Sequence, residues 1–310
     1  MEIIALYPGQ GSQQRGMGLS LYEASERVRT LFNEVSAIAE RDMYTLLSEG
    51  SDDDLTAYAQ LAITLVNRSV HLRLSELGTT IRAHAGFSLG ELSAYAAASI
   101  LDDATLFQII LTRMAMMETL SAKARDTHGE LVMAAAIGLD YPAIEAVLEG
   151  ERITDLWPAN DNAPLQVVLS GTRSGLERAR QPLFQAGVRR LIPLKVSGPF
   201  HTPFMEEATA PFARYLEGLP FSEPKEPVYS SIDGHLVETA HQARANLASQ
   251  LARPVRWTQL MRELAVHTTP FAEVGHGTVL CGLCKSNNIP WACVSLSSEE
   301  AIAHALKDTP

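Results

Sequence analysis

One serine, one histidine and one arginine of this 310-residue chain stand in surroundings that suggest chemistry. Ser88 is the centre of Gly86-Phe87-Ser88-Leu89-Gly90. A Gly-x-Ser-x-Gly of this kind turns a chain sharply from strand to helix and leaves the serine Oγ exposed, because only glycine tolerates the crowding on either side. The flanks agree with it. Residues 79–85 are short and β-branched at their start, and Leu89, Leu92, Tyr95, Ala96 and Ile100 recur at helical spacing. The backbone N–H of Leu89, at the helix start, then points to where an oxyanion would form. A serine nucleophile needs a base within hydrogen-bond reach. His201 is the best constrained of the nine histidines, held in Ser197-Gly198-Pro199-Phe200-His201-Thr202-Pro203 by two prolines and a glycine. His276, within Gly275-His276-Gly277, is a second loop candidate, while His71, His84 and the other five sit in ordinary positions.

Arg113 lies among apolar neighbours in Ile109-Ile110-Leu111-Thr112-Arg113-Met114-Ala115-Met116-Met117. A guanidinium buried without a partner is costly, so it calls either for an internal salt bridge or for a ligand carboxylate gripped bidentately. Near the N-terminus, Pro8-Gly9-Gln10-Gly11-Ser12-Gln13 lets the backbone of Gln10 come close to something. The lysine of a phosphate loop is absent, and an oxyanion loop beside Ser88 is the reading its context favours.

The bulk properties narrow the classes. Apolar residues make up 46% and charged residues 20%, as in globular proteins, and the length allows about two domains. A net charge of −11 excludes nucleic acid as the main partner and obliges any acidic partner to find a local basic patch. Three cysteines fit a reducing compartment better than a disulfide framework. Cys281 and Cys284 form a C-x-x-C at an apolar helix start, read as core packing rather than metal or redox work. The first residues carry no signal-peptide pattern, and no apolar run approaches the ~20 residues that span a bilayer. The expectation is a cytoplasmic protein with no membrane partner.

The elements that must position these groups follow in order. Residues 2–7 read as a buried strand, and residues 19–77 as helical with a break at Gly50-Ser51-Asp52-Asp53-Asp54, a solvated loop and helix cap rather than a metal site. Asp102 caps a helix running to about Ala122. From 127 to 196 the pattern shortens: strand 131–137, helix 141–148, strands 153–157 and 165–169, helix 174–185, strand 188–196. This β-α-β-β-α-β order is that of a split, ferredoxin-like unit. Strands at 227–232 and 271–275 and a helix ending at Leu251 complete the chain. The fold expected is α/β: a larger α/β-hydrolase-like domain with a parallel sheet and nucleophile elbow (1–126 and 197–310), with a smaller ferredoxin-like α+β domain (127–196) inserted.

Taken together, Pro8-Gly9-Gln10-Gly11-Ser12-Gln13, Gly86-Phe87-Ser88-Leu89-Gly90-Glu91, Arg113, Gly198-Pro199-Phe200-His201 and Gln250-Leu251-Ala252-Arg253-Pro254-Val255-Arg256-Trp257 occur in an order and spacing that resembles the malonyl-CoA:acyl carrier protein transacylases of fatty-acid and polyketide synthesis. Tyr58-Ala59-Gln60-Leu61-Ala62, Pro158-Ala159-Asn160-Asp161-Asn162 and Glu273-Val274-Gly275-His276-Gly277-Thr278-Val279-Leu280 extend the likeness over nearly the whole chain. The resemblance implies that Ser88 takes the acyl group, that His201 is its base with the second ring nitrogen held by a backbone carbonyl near Gln250, and that the N–H groups of Gln10 and Leu89 form the oxyanion hole. It implies that Arg113 clamps the free carboxylate of malonate, that Phe200 crowds an α-methyl branch, and that Met117 either lines the pocket or packs the core. The second substrate implied is the phosphopantetheine thiol of an acidic acyl carrier protein, met by Arg189, Arg190, Lys195 and Lys285. Coenzyme A is donor and leaving group, with no metal or redox cofactor. Phe87 stands where the family often has histidine, and His276 at the centre of a segment that usually reads Gly-Pro-Gly; both bear on acyl-chain selectivity. The rival activities are an acyl hydrolase or proofreading enzyme on the same scaffold and the malonyl-loading subunit of a malonate decarboxylase. A catalytically silent carrier-binding module would be expected to have lost Ser88, His201 or Arg113.

Overall fold

The computed structural model describes residues 1–194 and 198–307. Its strands in chain order are β1 (Glu2–Tyr7), β2 (Thr80–Gly86), β3 (Leu131–Ile137), β4 (Leu156–Ala163), β5 (Gln166–Thr172), β6 (Arg190–Pro193), β7 (Val228–Tyr229), β8 (Phe271–Glu273) and β9 (Cys293–Ser295). They form two sheets, one ordered β7-β2-β1-β8-β9 with every pairing parallel, the other ordered β4-β5-β3-β6 with every pairing antiparallel.

An unbroken apolar run suits a strand covered on both faces, and β1 shows why. Ile3, Ala5 and Tyr7 enter a core with the helices Glu26–Ala39, Ala59–Glu76 and Gly90–Ala97, while Ile4 and Leu6 enter one with Trp257–Leu264 and Val279–Ser286. In the antiparallel sheet the same alternation does different work. Ala134 and Ala136 of β3 face a separate core under the helices Tyr141–Gly150 and Arg173–Ala186, whereas Met133 and Ala135 face the opposite way, toward Val168 and Phe200. That second face becomes a wall of the cavity described below.

Several boundaries differ from the sequence expectation. The strands expected at 153–157 and 165–169 lie at Leu156–Ala163 and Gln166–Thr172, because β4 runs through Pro158, Asn160 and Asn162 by register shifts on either side of Asn160-Asp161. The strand expected at 188–196 is Arg190–Pro193 within the described residues, and that at 227–232 shortens to Val228–Tyr229. The helix capped by Asp102 continues to His128, where Gly129 stops it at φ 82°. β9 and the helix Glu299–Lys307 carried no signal strong enough to be expected. Ser51 does cap its helix, in a capping box with Asp54. Cys284 is buried and free, but Cys281 pairs with Cys293 as a disulfide joining the helix Val279–Ser286 to β9, which corrects the expectation of unpaired cysteines. His71 and His84, read as ordinary positions, both hydrogen bond the hydroxyl of Tyr7 at 3.0 Å. Among the described residues no helix is long and apolar enough to cross a membrane.

The junction of β2 with the helix Gly90–Ala97 rests on two close approaches. A Cβ on Gly86 would overlap the backbone of Gly90, and a Cβ on Gly90 would overlap the carbonyl oxygen of Tyr7 in β1. Neither obstacle is a flexible side chain, so relief requires backbone movement. Gly90→Ala is expected to destabilise the protein by about 3 kcal/mol, the upper end for overpacking, read as a lowered midpoint in urea unfolding; an unchanged midpoint would mean that helix and strand are not in contact there.

Candidate active site

Ser88 sits at the turn with φ 51° and His201 in its loop with φ 61°, both in the left-handed region that non-glycine residues avoid. Each such residue costs on the order of 1–3 kcal/mol and persists only where its surroundings over-determine it. For Ser88 the restraints are its own carbonyl, which accepts from the N–H of Glu91 at 3.0 Å and from Nε2 of Gln250 at 3.1 Å. For His201 they are its N–H, donating to the carbonyl of Leu251 at 2.8 Å, and the turn of Thr202 Oγ1 back to the carbonyl of Pro199.

The geometry dictates which ring nitrogen carries the proton. Nδ1 of His201 faces two acceptors, the carbonyls of Gln250 and Arg253, each at 3.0 Å. It must therefore be the N–H, which leaves Nε2 as the lone-pair nitrogen, 2.7 Å from Ser88 Oγ. Burial, then the nearby Arg113 charge, push the His201 pKa down to about 4 against the smaller opposing pull of the two carbonyls. The imidazole is thus neutral and available as a base across the physiological range.

Arg113 is 2% exposed. Its Nη1 donates to Gln60 Oε1 at 2.5 Å and its Nη2 approaches Gln250 Oε1 at a long 3.5 Å, while Nε has no partner. Among the described residues no carboxylate lies within ion-pair distance of it, so the internal salt bridge weighed from the sequence is not formed. Burial lowers its pKa to about 10, which still leaves it charged at neutral pH.

Gln10, Ser88, Leu89, Arg113, Met117, Phe200 and His201 all line one cavity of about 260 Å³. Among the described residues no hydrogen bond from the backbone N–H of Gln10 or of Leu89 is found. Gln250 lies behind the wall, where its side chain touches Ser88 and Arg113 and its carbonyl touches His201. Phe200 packs against Met117 and Met205 on one side and against Met133, Ala135 and Val168 of the antiparallel sheet on the other, so it joins the two cores at the cavity. Phe87 also lines the cavity and meets Trp257 edge-on with ring centroids 5.1 Å apart. His276 does not line it; its Nε2 is 3.1 Å from Gln14 Oε1. Arg189, Arg190 and Lys285 are exposed, and Lys195 lies outside the described residues.

Sequence reasoning gave no role to Gln60 or Glu91, although both fell inside motifs it quoted, nor to Asn160, Asn162 and Gln166, which line the cavity from β4 and β5. The available signal was polarity out of place. Gln60 opens a helix whose buried residues include Leu61, Ala62, Ile63, Leu65 and Val66 but also Thr64 and Asn67, which recur with it at helical spacing as a buried polar stripe.

Residues 5–286 match the model of the family described as acyl transferase domain. The chain is similar to a malonyl CoA-acyl carrier protein transacylase of Bacillus subtilis, 34% identical over 99% of this chain and 96% of the relative. It is also similar to that of Escherichia coli K12, 32% identical over 97% of this chain and 98% of the relative. A solved malonyl-transacylase in complex with a type II PKS acyl-carrier protein superposes with a TM-score of 0.91 at 30% identity, covering 100% of both chains.

Acylation of Ser88 by an activated ester such as p-nitrophenyl acetate should report the base directly. Because the His201 pKa is lowered, the rate is expected to fall only on the acid side of an apparent pKa of about 4 and to be level above about pH 5. A midpoint at the ordinary histidine value of 6.5 would show that the ring is not buried beside Arg113.

Proposed function

Because this chain belongs to the acyl transferase domain family, as a malonyl-CoA:acyl carrier protein transacylase that moves malonyl from coenzyme A to a carrier thiol, we propose that it does so in two steps through a malonyl-Ser88 ester. The observation that carries the route is the 2.7 Å contact of Ser88 Oγ with the unprotonated Nε2 of His201, beside a buried arginine that, among the described residues, no carboxylate meets in a direct ion pair.

In the first step Nε2 takes the Oγ proton as Oγ attacks the thioester carbonyl. The oxyanion so formed is met by the N–H groups of Gln10 and Leu89, each worth on the order of 3 kcal/mol in such a role. Collapse breaks the C–S bond, and His201 returns the proton to the departing coenzyme A sulfur. In the second step Nε2 takes the proton of the phosphopantetheine thiol, whose sulfur attacks the ester. Collapse breaks the C–O bond and the proton goes back to Oγ. No oxidation state changes, so the reading invokes neither metal nor redox cofactor, and coenzyme A serves only as leaving group.

Arg113 gives the selectivity. A buried cation with an unused Nε–H is left unsatisfied by a monocarboxylic acyl group and satisfied by the free carboxylate of malonyl. Phe200 crowds a branch at the α-carbon, and Met117 lines the same cavity. The carrier would approach over Arg189, Arg190, Lys195 and Lys285. In support, Arg190 is in register with Ile137, itself in register with the cavity-lining Gln166, so two inter-strand spacings, about 10 Å, separate Arg190 from the lining. We read residues 1–126 and 197–310 as an α/β-hydrolase-like domain and 127–196 as an inserted ferredoxin-like one, supported by the element order β3-helix-β4-β5-helix-β6 and its separate core. We also read the enzyme as cytoplasmic.

Arg113→Ala should lower kcat/KM for malonyl-CoA by about 30-fold to several thousand-fold, the equivalent of 2–5 kcal/mol for truncating one partner of a buried charge pair. Intact-mass measurement of the malonyl-Ser88 adduct checks it, and an undiminished adduct would remove the clamp. Reversing Arg189 and Arg190 to Glu is expected to weaken transfer to the carrier about tenfold or more while leaving the adduct unchanged; equal transfer would move the docking surface elsewhere.

A further inference from the structure

Glu91 lies on the first turn of the helix that follows Ser88 and is fully buried. Its Oε1 accepts from the Tyr95 hydroxyl at 2.8 Å, and its Oε2 from Ser231 Oγ at 2.6 Å and from Gln250 Nε2 at 2.8 Å. Burial raises the Glu91 pKa, and the hydroxyls and amide NH₂ that converge on its two oxygens act against that by donating to the carboxylate. The second N–H of Gln250 Nε2 goes to the Ser88 carbonyl, so both amide donors are committed and the amide can lie only one way round. Its Oε1 then faces Arg113. The sequence of charges is carboxylate, amide NH₂, amide oxygen, guanidinium, with the amide dipole aligned between the two ions.

We propose that Glu91 is the positioning residue of the carboxylate clamp: acting through the side-chain amide of Gln250, it supplies Arg113 with a counter-charge held out of direct contact, which keeps the guanidinium charged and open to substrate. The proposal rests on the reading of Arg113 as the malonyl-binding group. A direct ion pair would spend the guanidinium on the protein, and no counter-charge at all would leave a buried cation prone to losing its proton. One intervening amide avoids both. The same residue also binds the Ser88 carbonyl and, by its own carbonyl, His201 Nδ1, so anchoring Gln250 sets nucleophile, base and clamp together.

The titratable groups that act on Arg113 from the elements packed against its helix are Glu91, which holds its pKa up, and His201, neutral above about pH 4. Tyr95, in contact with Glu91, is pushed well above the ordinary phenol value and does not titrate in the range of the test.

The test is single-turnover acylation by malonyl-CoA and by acetyl-CoA across pH. In the wild type the malonyl-over-acetyl preference should fall with a midpoint near the Arg113 pKa of about 10. In Glu91→Gln, which retains the shape but not the charge, the midpoint should drop by about one unit or more. In a Gln250→Ala background, Glu91→Gln should move it by less than half as much. Glu91→Asp, which retains the charge but withdraws from Gln250, should lower the midpoint by less than Glu91→Gln does and slow both acyl groups about tenfold. An unmoved midpoint in Glu91→Gln, or undiminished rates in Glu91→Asp should the first variant not fold, would overturn the proposal. Arg113→Ala run alongside keeps the two readings apart, since an intact malonyl preference there would remove the clamp itself.

Discussion

The carbonyl oxygen of Tyr7 occupies the space that any side chain on residue 90 would need. From that contact the geometry of the site descends. It lets the helix Gly90–Ala97 seat itself against β1, which brings Ser88 into a left-handed turn at the end of β2 and leaves its Oγ facing outward. It also places the Gly9-Gln10 turn, which continues from β1, beside the same serine, because Gly9 lies against the carbonyl of Phe87 with no room for a Cβ. Two strands side by side in a parallel sheet therefore deliver Gln10, Ser88 and Leu89 to one cavity from one packing event.

The second constraint is electrostatic. A cation, an anion and a titratable imidazole are buried within a few hydrogen bonds of one another, a situation that ordinarily costs several kcal/mol per unpaired charge. Amides carry the cost here. Gln60 satisfies one Arg113 nitrogen, and Gln250 spans the interval to Glu91. Amides are neutral over the whole pH range, so they solvate the ions without competing with His201 for a proton. The low basicity of His201 comes first from its burial and then from the Arg113 field, which opposes a second positive charge nearby.

The amount that could be read from sequence divides along physical lines. The elbow, the capped helices and the apolar strand β1 were legible because they are local: glycine at a crowded turn, Asp102 or Ser51 at an N-cap, an unbroken run of buried side chains. Pairing Ser88 with His201 and Arg113 drew on the family resemblance, and the geometry brings these residues together in one cavity. Gln60 and Glu91 were invisible as participants because a polar residue inside a buried helix does not show in sequence what it binds; its meaning lies in partners 53 and 159 residues away. The β4 boundary failed for another reason. Pro158, Asn160 and Asn162 read as a loop, yet bulges accommodate them in a strand whose polar side chains reach the cavity. The pairing of Cys281 with Cys293 likewise depended on an edge strand, β9, too short to announce itself.

The hydrogen bonds that define the site close loops of unusual length: 113 residues between Ser88 and His201, 137 between Arg113 and Gln250, 162 between Ser88 and Gln250. Contacts of that separation form late, after local helices and hairpins, because the chain entropy they consume is large. While the polypeptide is being made, Ser88 leaves the ribosome well before His201, and Arg113 well before Gln250. A nascent chain therefore carries an elbow serine without its hydrogen-bond partner, and the cavity is complete only when the last of these distant segments has been placed.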